Sequence, residues 1–420
     1  MKKNYKIIPI LLFILCCCSC TSNQPNDKTE KEEALFFNIK NPTNQEWVGE
    51  VISVPVSILQ QENEKLDWAK IGFSIDTNLP YQLIDEDKNN IPEEILLLVD
   101  LKGNEEKKVN VNFSNVKGTS EFAKKTQAEI SHKTGGKWEG KEYKEGTFKN
   151  VNSLNVPPEH TDHSWFIRYE GPGWESDKVG YRFYLDWRNA VDIFGKKTSD
   201  MVLQDVGQDG FDSYHEPSEW GMDVLKVAGS LGIGSIGFWG DEKATRIEKT
   251  DSLYCEILQN DNLQSKIRTQ YYGWQINDQK LDLTSDLTIQ AGSRLTRQDI
   301  VMSNPLPNIC TGIVKLENVD LMQNIPTSNK EWGYIATYGP QSLAKDNLGM
   351  AVFFKMENVP QIAEDKESHV VVLQPTGNKL TYYFAAAWEQ ESNGIKTIED
   401  FKNYLNGQLE KLNQPIMVSK

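Results

Sequence analysis

The chain has 420 residues, of which 38 % are hydrophobic and 25 % charged, so it has the composition of a globular protein with one large domain or two ordinary ones. The formal net charge is -15 at pH 7. A surface that binds nucleic acid needs clustered lysine and arginine, so this charge argues against a nucleic-acid partner.

The first 20 residues (1–20) have the pattern of a targeting segment. Lysines precede an apolar run, Ile7–Cys18, that is too short to span a bilayer comfortably. The run leads through small residues to Cys20, which resembles a bacterial lipoprotein signal with Cys20 as the lipidated first residue. A cleaved soluble signal and an uncleaved anchor are the alternatives.

Residues 21–33 are polar and charged, which predicts a flexible tether between a lipid and the folded part. We therefore expect a chain that is lipid-anchored in the bacterial outer membrane and faces the periplasm or the cell surface. Membrane contact would come through the lipid alone. Cys255 and Cys310 lie beyond the signal region, and their spacing fits a disulfide or two isolated core cysteines.

Strand patterns dominate the rest of the chain and predict a mainly β fold. Residues 34–118 are expected to form a small β-sandwich, because runs such as Val109–Phe113 alternate apolar and polar residues. Residues 119–150 read as a linker with hairpins. Residues 151–420 predict a large antiparallel sandwich or supersandwich, with one C-terminal helix whose apolar stripe runs along Ile398–Leu412.

Titratable side chains and large aromatic rings interleave most densely between His160 and Asp223. Such a mixture suits a polar hollow with flat apolar walls, which is what sugar rings need. We therefore expect an oligosaccharide or polysaccharide ligand. The candidate residues in contact with it are Trp174, Arg168, Trp220, His160 and, late in the chain, Trp388.

Two histidines, His160 and His163, follow a Pro-Pro pair and favour a loop. They could be a general base and a contact to sugar hydroxyls, or loop histidines that bond to the backbone. The Gly-Pro-Gly turn after Glu170 is expected to push Trp174 and Glu175 outward, where a ring and a carboxylate could hold a sugar. The alternative is a tryptophan that caps the core beside a solvated glutamate.

The run Tyr181–Arg188 predicts a strand with its polar residues on one face. On that face Arg182 could neutralise a uronate carboxylate and Tyr184 could donate a proton to the leaving oxygen. An arginine–aspartate lattice on the surface is the other reading.

Oxygen-bearing residues at Asp205, Asp209 and Glu216 occupy positions one, five and twelve of a calcium-loop spacing. Position three is Gly207, so the loop is a poor EF-hand, and an irregular Ca²⁺ site or a solvated acidic loop both fit. His215, next to Glu216, is a candidate catalytic residue.

The segments Arg168–Asp177, Tyr181–Asp186 and Asp192–Lys196 resemble an uncharacterised family of secreted bacterial lipoproteins, domain of unknown function 4861, over roughly residues 35–415. The resemblance implies a place among polysaccharide-degrading enzymes, many of them acting on uronate polymers. The segment Leu287–Arg294 is similar to galactose-mutarotase-type supersandwiches, which implies a carbohydrate site on the concave sheet face and supplies no catalytic residue.

The sequence thus predicts an enzyme on oligosaccharides that contain uronate. As a lyase it would use Arg182 or Ca²⁺ against the carboxylate, His163 or His215 as the base and Tyr184 as the acid. As a hydrolase it would use two carboxylates, Glu170 and Glu175. A glycan-binding lipoprotein without catalysis and a purely structural lipoprotein are the alternatives.

Overall fold

The computed structural model describes residues 35–60, 66–113, 122–210 and 213–420. The targeting segment, Cys20 and the tether lie outside the described residues. Contacts unite Leu35–Lys420 into one compact unit. Strands far outnumber helices in it, which confirms the mainly β prediction. No helix among the described residues has the length and apolarity needed to cross a membrane.

The described N-terminal part consists of strands with two helical turns, α1 (Ser57–Gln60) and a 3₁₀ turn (Trp68–Lys70). Aliphatic and aromatic side chains at alternate positions favour strands that bury one face. The strands are β1 (Phe36–Lys40), β2 (Trp47–Pro55), β3 (Ile71–Ser74), β4 (Tyr81–Ile84), β5 (Glu94–Leu101) and β6 (Glu106–Phe113).

These strands form two antiparallel sheets that share one hydrophobic core. One has the order β2-β5-β4. The other has the order β29-β1-β6-β3, in which β29 (Met417–Ser419) is the last strand of the chain. Phe37 and Phe73 from one sheet pack in the same core as Ile95 from the other. The two ends of the described chain therefore meet in one sheet.

The middle of the chain forms a six-stranded sheet of order β10-β7-β12-β13-β14-β15 and the start of the other sheets. The strands are β7 (Thr126–Thr134), β8 (Lys137–Glu139), β9 (Glu142–Lys144), β10 (Thr147–Val151), β11 (Ser153–Asn155), β12 (Gly173–Ser176), β13 (Gly180–Phe183), β14 (Val191–Lys196), β15 (Gly221–Asp223), β16 (Gly237–Gly240) and β17 (Lys243–Arg246).

The segment read as a linker supplies an interior strand, because β7 pairs with β10 on one side and β12 on the other. The sequence did not indicate this strand because many of its residues are polar. Thr126 is fully buried and donates its hydroxyl to the carbonyl of Asp261 at 2.7 Å. A polar sequence can therefore form a core strand where each buried group finds a partner.

The C-terminal part forms long strands and the helix α2 (Ile398–Asn413). The strands are β18 (Ser252–Asn260), β19 (Gln264–Ile276), β20 (Gln279–Gln290), β21 (Leu295–Met302), β22 (Ile309–Val314), β23 (Leu321–Asn324), β24 (Trp332–Gly339), β25 (Leu348–Lys355), β26 (Gln361–Glu364), β27 (Ser368–Leu373) and β28 (Lys379–Trp388).

A nine-stranded sheet, β11-β18-β19-β20-β21-β28-β25-β24-β23, is the centre of the molecule. One face shares the main core with the six-stranded sheet and with a five-stranded sheet of order β17-β16-β22-β27-β26. Ile267 and Phe384 meet Trp174 and Ile313 in that core. The arrangement is the large antiparallel sandwich that the strand pattern predicted.

Helix α2 packs on the other face of the nine-stranded sheet. Phe401, Leu405 and Leu409 recur every four residues and are buried against sheet residues such as Phe353. The Thr397 hydroxyl accepts the N–H of Asp400 at 3.1 Å and caps the helix. The predicted amphipathic helix is therefore confirmed.

Candidate functional site

A buried polar cluster lies on the six-stranded sheet where β13, β14 and β15 run side by side. We call it the Arg182 cluster, made of Arg182, Tyr184, Asp192, Tyr214 and Asp223. Arg182 and Asp192 are direct cross-strand neighbours, and Asp223 is on the next strand. Strand register therefore brings together residues that are far apart in the sequence.

Arg182 is 2 % exposed and every nitrogen of its guanidinium donates to a cluster residue. It reaches Asp192 at 2.8 Å, Asp223 at 2.6 Å, the Tyr184 hydroxyl at 2.9 Å and the Tyr214 hydroxyl at 3.0 Å. A buried charge is tolerated only with such partners. The expected role of Arg182 as a partner for a substrate carboxylate is not compatible with these contacts, so Arg182 positions its neighbours instead.

Tyr184 is also a positioning residue. Its hydroxyl donates to Asp192 at 2.5 Å and accepts from Arg182, and the side chain is 6 % exposed. Burial raises the pKa of Tyr184 well above its ordinary value, although Arg182 opposes the rise. The predicted proton donation from Tyr184 to a substrate does not fit a phenol that is buried and already bonded.

His215 joins the cluster from the surface. Its Nε2 lies 3.0 Å from Asp223 Oδ2, the oxygen that Arg182 also contacts. The imidazole is 40 % exposed, whereas the Asp223 side chain is 1 % exposed. The other Asp223 oxygen accepts the N–H of Leu225 at 3.1 Å. A carboxylate fixed in this way orients an accessible imidazole, which is the arrangement that general acid–base catalysis requires.

A second set of charges adjoins the cluster around Arg188. Its guanidinium pairs with Asp162 at 2.7 Å, with Glu170 at 2.9 Å and with Asp186. The other Glu170 oxygen lies 3.8 Å from Arg182, so Glu170 connects the two arginines. Burial opposes ionisation of Glu170, but Arg182 and Arg188 outweigh it and lower its pKa to about 2. Glu170 therefore stays ionised and cannot serve as a general acid.

We expect stability in acid to depend on Glu170. Its folded-state pKa of about 2 lies below the ordinary 4.5, so its stabilisation is complete above about pH 4.5 and is lost as the pH falls toward 2. Urea unfolding should show the advantage of the wild type over Glu170→Gln shrinking by about 2 kcal/mol between about pH 5 and pH 3. The same substitution at exposed Glu331 should show no such trend. An advantage that stays constant would contradict the assignment.

The loop before β12 carries strained backbone. His163, Trp165, Tyr169 and Glu170 have φ of 55°, 60°, 38° and 70°, a region that side chains other than glycine rarely adopt. Each such residue costs about 1–3 kcal/mol unless its surroundings hold it, and such residues concentrate at functional sites. The strain stacks the His163 ring on Trp165 at 5.5 Å and directs the His163 N–H to Glu170 at 3.0 Å.

Arg168 lies beneath the start of the predicted calcium loop. This arginine is fully buried, pairs with Glu129 and donates to the carbonyls of Leu203, Gln204 and Val206 at 2.9–3.0 Å. Of these carbonyls only that of Val206 belongs to the predicted loop, and a buried arginine beside it opposes a second cation there. Asp205, Asp209 and Glu216 are exposed and do not form a ligand group in the described residues. Arg168 is therefore a structural residue and not a ligand contact.

Among the described residues, two other groups have ligand atoms within 4.8 Å of one another: Asp162 with His163 and Glu170, and an exposed group on the β4–β5 hairpin. In the first group Arg188 already pairs with both carboxylates. A metal cation would have to displace or face that guanidinium, so the charges do not favour it.

Three predicted site residues lie inside the fold. Trp174 is fully buried, stacks on Tyr181 at 5.6 Å and donates its indole N–H to Thr296 at 2.9 Å. Glu175 is fully buried with Lys196 at 2.5 Å, and Trp388 is 1 % exposed. The prediction that Trp174 and Glu175 point outward is wrong, because β12 is an interior strand with both faces covered. Neither Trp388 nor this pair can contact a ligand here.

Two more predicted residues support the site. His160 is buried, its Nδ1 lies 2.8 Å from the Ser164 hydroxyl, and burial lowers its pKa, so it holds the strained loop as a neutral ring. Trp220 is half-buried and packs edge-on against Phe194 at 5.8 Å. Phe194 also packs against Tyr214, so Trp220 lies at the margin of the Arg182 cluster.

Sequence reasoning missed the two aspartates that organise the cluster. Asp192 and Asp223 sit in short apolar strands, Val191–Lys196 and Gly221–Asp223. Burial, together with Asp223, raises the pKa of Asp192 to about 6. A lone carboxylate in a run that is otherwise apolar was the available signal, because an ionised group is rarely buried without a purpose or a partner.

Comparison with known proteins places the chain in a family. The family model "Domain of unknown function (DUF4861)" matches residues 39–418. "Uncharacterized protein P7" of Formosa agariphila is 23 % identical over 269 residues, which cover 59 % of this chain and 66 % of P7, less than two thirds of its length.

Solved structures resemble the chain only weakly. A glycosyl hydrolase family 38 protein from Enterococcus faecalis aligns with 92 % of this chain and 47 % of its own, at 9 % identity and a TM-score of 0.49. A putative aldose 1-epimerase from Klebsiella pneumoniae aligns with 58 % of this chain and 84 % of its own, at 9 % identity and a TM-score of 0.30. The chain spans about half the length of the first structure, and likeness at this level does not transfer an activity. The family model, by contrast, matches residues 39–418, which is most of the chain. The chain therefore belongs to the DUF4861 family.

Proposed function

We propose that the protein is a carbohydrate-active enzyme in which His215, oriented by Asp223, is the general acid–base residue. The observation that carries the proposal is the distance of 3.0 Å between the half-exposed imidazole and a buried carboxylate that Arg182 also holds. A cluster of buried charges beside an accessible histidine is typical of a catalytic site.

Aromatic rings near the Arg182 cluster and in the segments that carry Asp162 and Arg188 support a sugar substrate. Trp187 is 51 % exposed, Trp165 stacks on His163, and Trp220 lies at the margin of the cluster. Flat apolar rings next to polar groups are what the two faces and the hydroxyls of a sugar require. The segment that ends at Cys20 resembles a bacterial lipoprotein signal, which further supports a place at the bacterial envelope, where such substrates are found.

Charge favours hydrolysis over the elimination of a uronate. Two arginines face five carboxylates across the cluster and the Arg188 set, and both arginines are already paired. A lyase must neutralise the uronate carboxylate before its neighbouring proton can leave. In the hydrolytic version His215 activates water. The candidate acid is Asp162, whose carboxylate is 42 % exposed and is linked to the Arg182 cluster through Arg188 and Glu170. Burial raises the pKa of Asp162 against the opposing effect of Arg188.

The full-length chain should therefore release new reducing ends from a neutral oligosaccharide within a panel of neutral and uronate-containing oligosaccharides. Elimination would instead produce unsaturated uronates, which absorb in the ultraviolet, and would establish the lyase version. Binding without turnover, unchanged by His163→Ala and His215→Ala, would overturn the enzymatic proposal in favour of a glycan-binding lipoprotein. Neither binding nor turnover would favour a structural lipoprotein.

A further inference from the structure

A groove of about 750 Å³ lies on the face of the nine-stranded sheet opposite the main core. Its floor comes from β19, β20, β21 and β28, one wall from β2, β4 and β5, and the other from α2 and the residues after it. None of the Arg182 cluster residues lines it. Its size is in the range of pockets that bind small organic ligands.

The floor is polar because successive side chains of a strand point to opposite faces of the sheet, and the polar ones face the groove. On β20, Asp286 and Thr288 face the groove while Leu287 and Ile289 face the main core. Elsewhere the same face is covered by α2. The groove is therefore the gap on this face of the sheet between the N-terminal strands and α2. Its floor carries a row of side chains that can form hydrogen bonds.

Charge in the groove disfavours an anionic ligand. Six carboxylates and three cations line it, and each cation is paired across or along the walls. Lys266 contacts Glu86 at 2.7 Å, Arg297 contacts Asp299 at 2.8 Å, and Lys411 contacts Glu50. A uronate or sulfated chain would meet a surplus of negative charge, whereas carboxylates and carboxamides suit the hydroxyls of a neutral sugar.

One end of the groove is aromatic. Tyr383 is half-buried in the floor and meets Trp332 edge-on at 5.3 Å. Trp332 lines a second hollow of about 200 Å³ that continues across β28 on this side of the sheet. Two adjoining hollows with an aromatic pair between them fit a linear chain of sugar units better than a single ring.

We propose that this groove is a second carbohydrate site, which binds a neutral oligosaccharide of several units and carries out no chemistry. The choice of a sugar ligand rests on the proposed function. The groove would hold the polymer while the surface beside His215 acts on it.

The test is isothermal titration of the full-length chain with cellohexaose, xylohexaose and mannohexaose, with an oligogalacturonide of equal length and with spermine. We expect one of the neutral hexasaccharides to bind. Thr288→Tyr, which fills the middle of the floor, should weaken that binding about tenfold or more. Thr284→Tyr is the matched control, because it puts the same ring on the same face of β20 outside the groove lining and should leave affinity unchanged.

Binding of the oligogalacturonide or of spermine in place of a neutral sugar would overturn the inference, and so would equal affinity of the two tyrosine variants. The two proposals fail separately. Turnover that depends on His215, with binding indifferent to Thr288→Tyr, removes the groove site and keeps the enzyme. Binding that depends on Thr288 without turnover of any glycan keeps the groove site and removes the enzyme.

Discussion

Replacing His215 with alanine is expected to lower kcat by about 10²- to 10⁴-fold on any oligosaccharide that the chain turns over. The imidazole is the accessible member of a pair whose carboxylate is buried and held by Arg182 and a backbone N–H. Removal of the ring takes away the proton-transferring group and leaves the sheet beneath it in place. Steady-state kinetics on the active member of the panel measure the effect.

Asp223→Asn tests the carboxylate of the same pair. The amide keeps the size of the side chain but removes the charge that orients and stabilises a protonated imidazole. We expect kcat to fall far more than KM changes, with an altered pH profile. His132→Ala, an imidazole of the same sheet outside the Arg182 cluster, is the control and should leave kcat near that of the wild type. A loss of less than about tenfold in His215→Ala would remove His215 from the chemistry.

Arg182→Met is expected to lower the free energy of unfolding by about 3–5 kcal/mol. The variant leaves Asp192 and Asp223 buried at 1 % exposure without the cation that both now share. Methionine fills much of the same space, so the loss reports unpaired charge more than a cavity. Urea unfolding of the full-length chain measures it.

Arg297→Met is the matched control, since that arginine is 51 % exposed and pairs with one carboxylate near the surface. Its loss should stay within about 1 kcal/mol. Adding Asp192→Asn to Arg182→Met should recover part of the stability, because one of the unpaired charges is removed. If Arg182→Met costs no more than Arg297→Met, the cluster is far better hydrated than its burial indicates.

Much of the fold could be read from the sequence. Alternation of apolar and polar residues predicted β6, and the apolar stripe along Ile398–Leu412 predicted the C-terminal helix. These signals are local, since each depends on residues within one or two turns or strands. The sequence did not predict the strand β7, because its buried polar groups form hydrogen bonds with residues far along the chain, such as Asp261.

The sequence predicted which interval of the chain holds the candidate site, but it did not predict how the side chains of that interval are arranged. The interval from His160 to Asp223 does hold the Arg182 cluster, but Trp174 and Glu175 turned out to be interior. The Gly-Pro-Gly turn before them was read as a protrusion, yet β12 is flanked by β7 and β13. Whether a strand is at the edge or the interior of a sheet depends on pairing across long sequence distances, which a local turn does not encode.

What the sequence by itself determined is the mainly β architecture, the C-terminal helix and the interval that contains the cluster. Only the tertiary structure decided which charged groups meet. It placed Arg168 under a loop, gave Asp223 both Arg182 and His215, and opened a groove whose lining residues no motif joins. The physical reason is that charge compensation and burial are set by neighbours in space, and sheet register brings those neighbours together from distant parts of the chain.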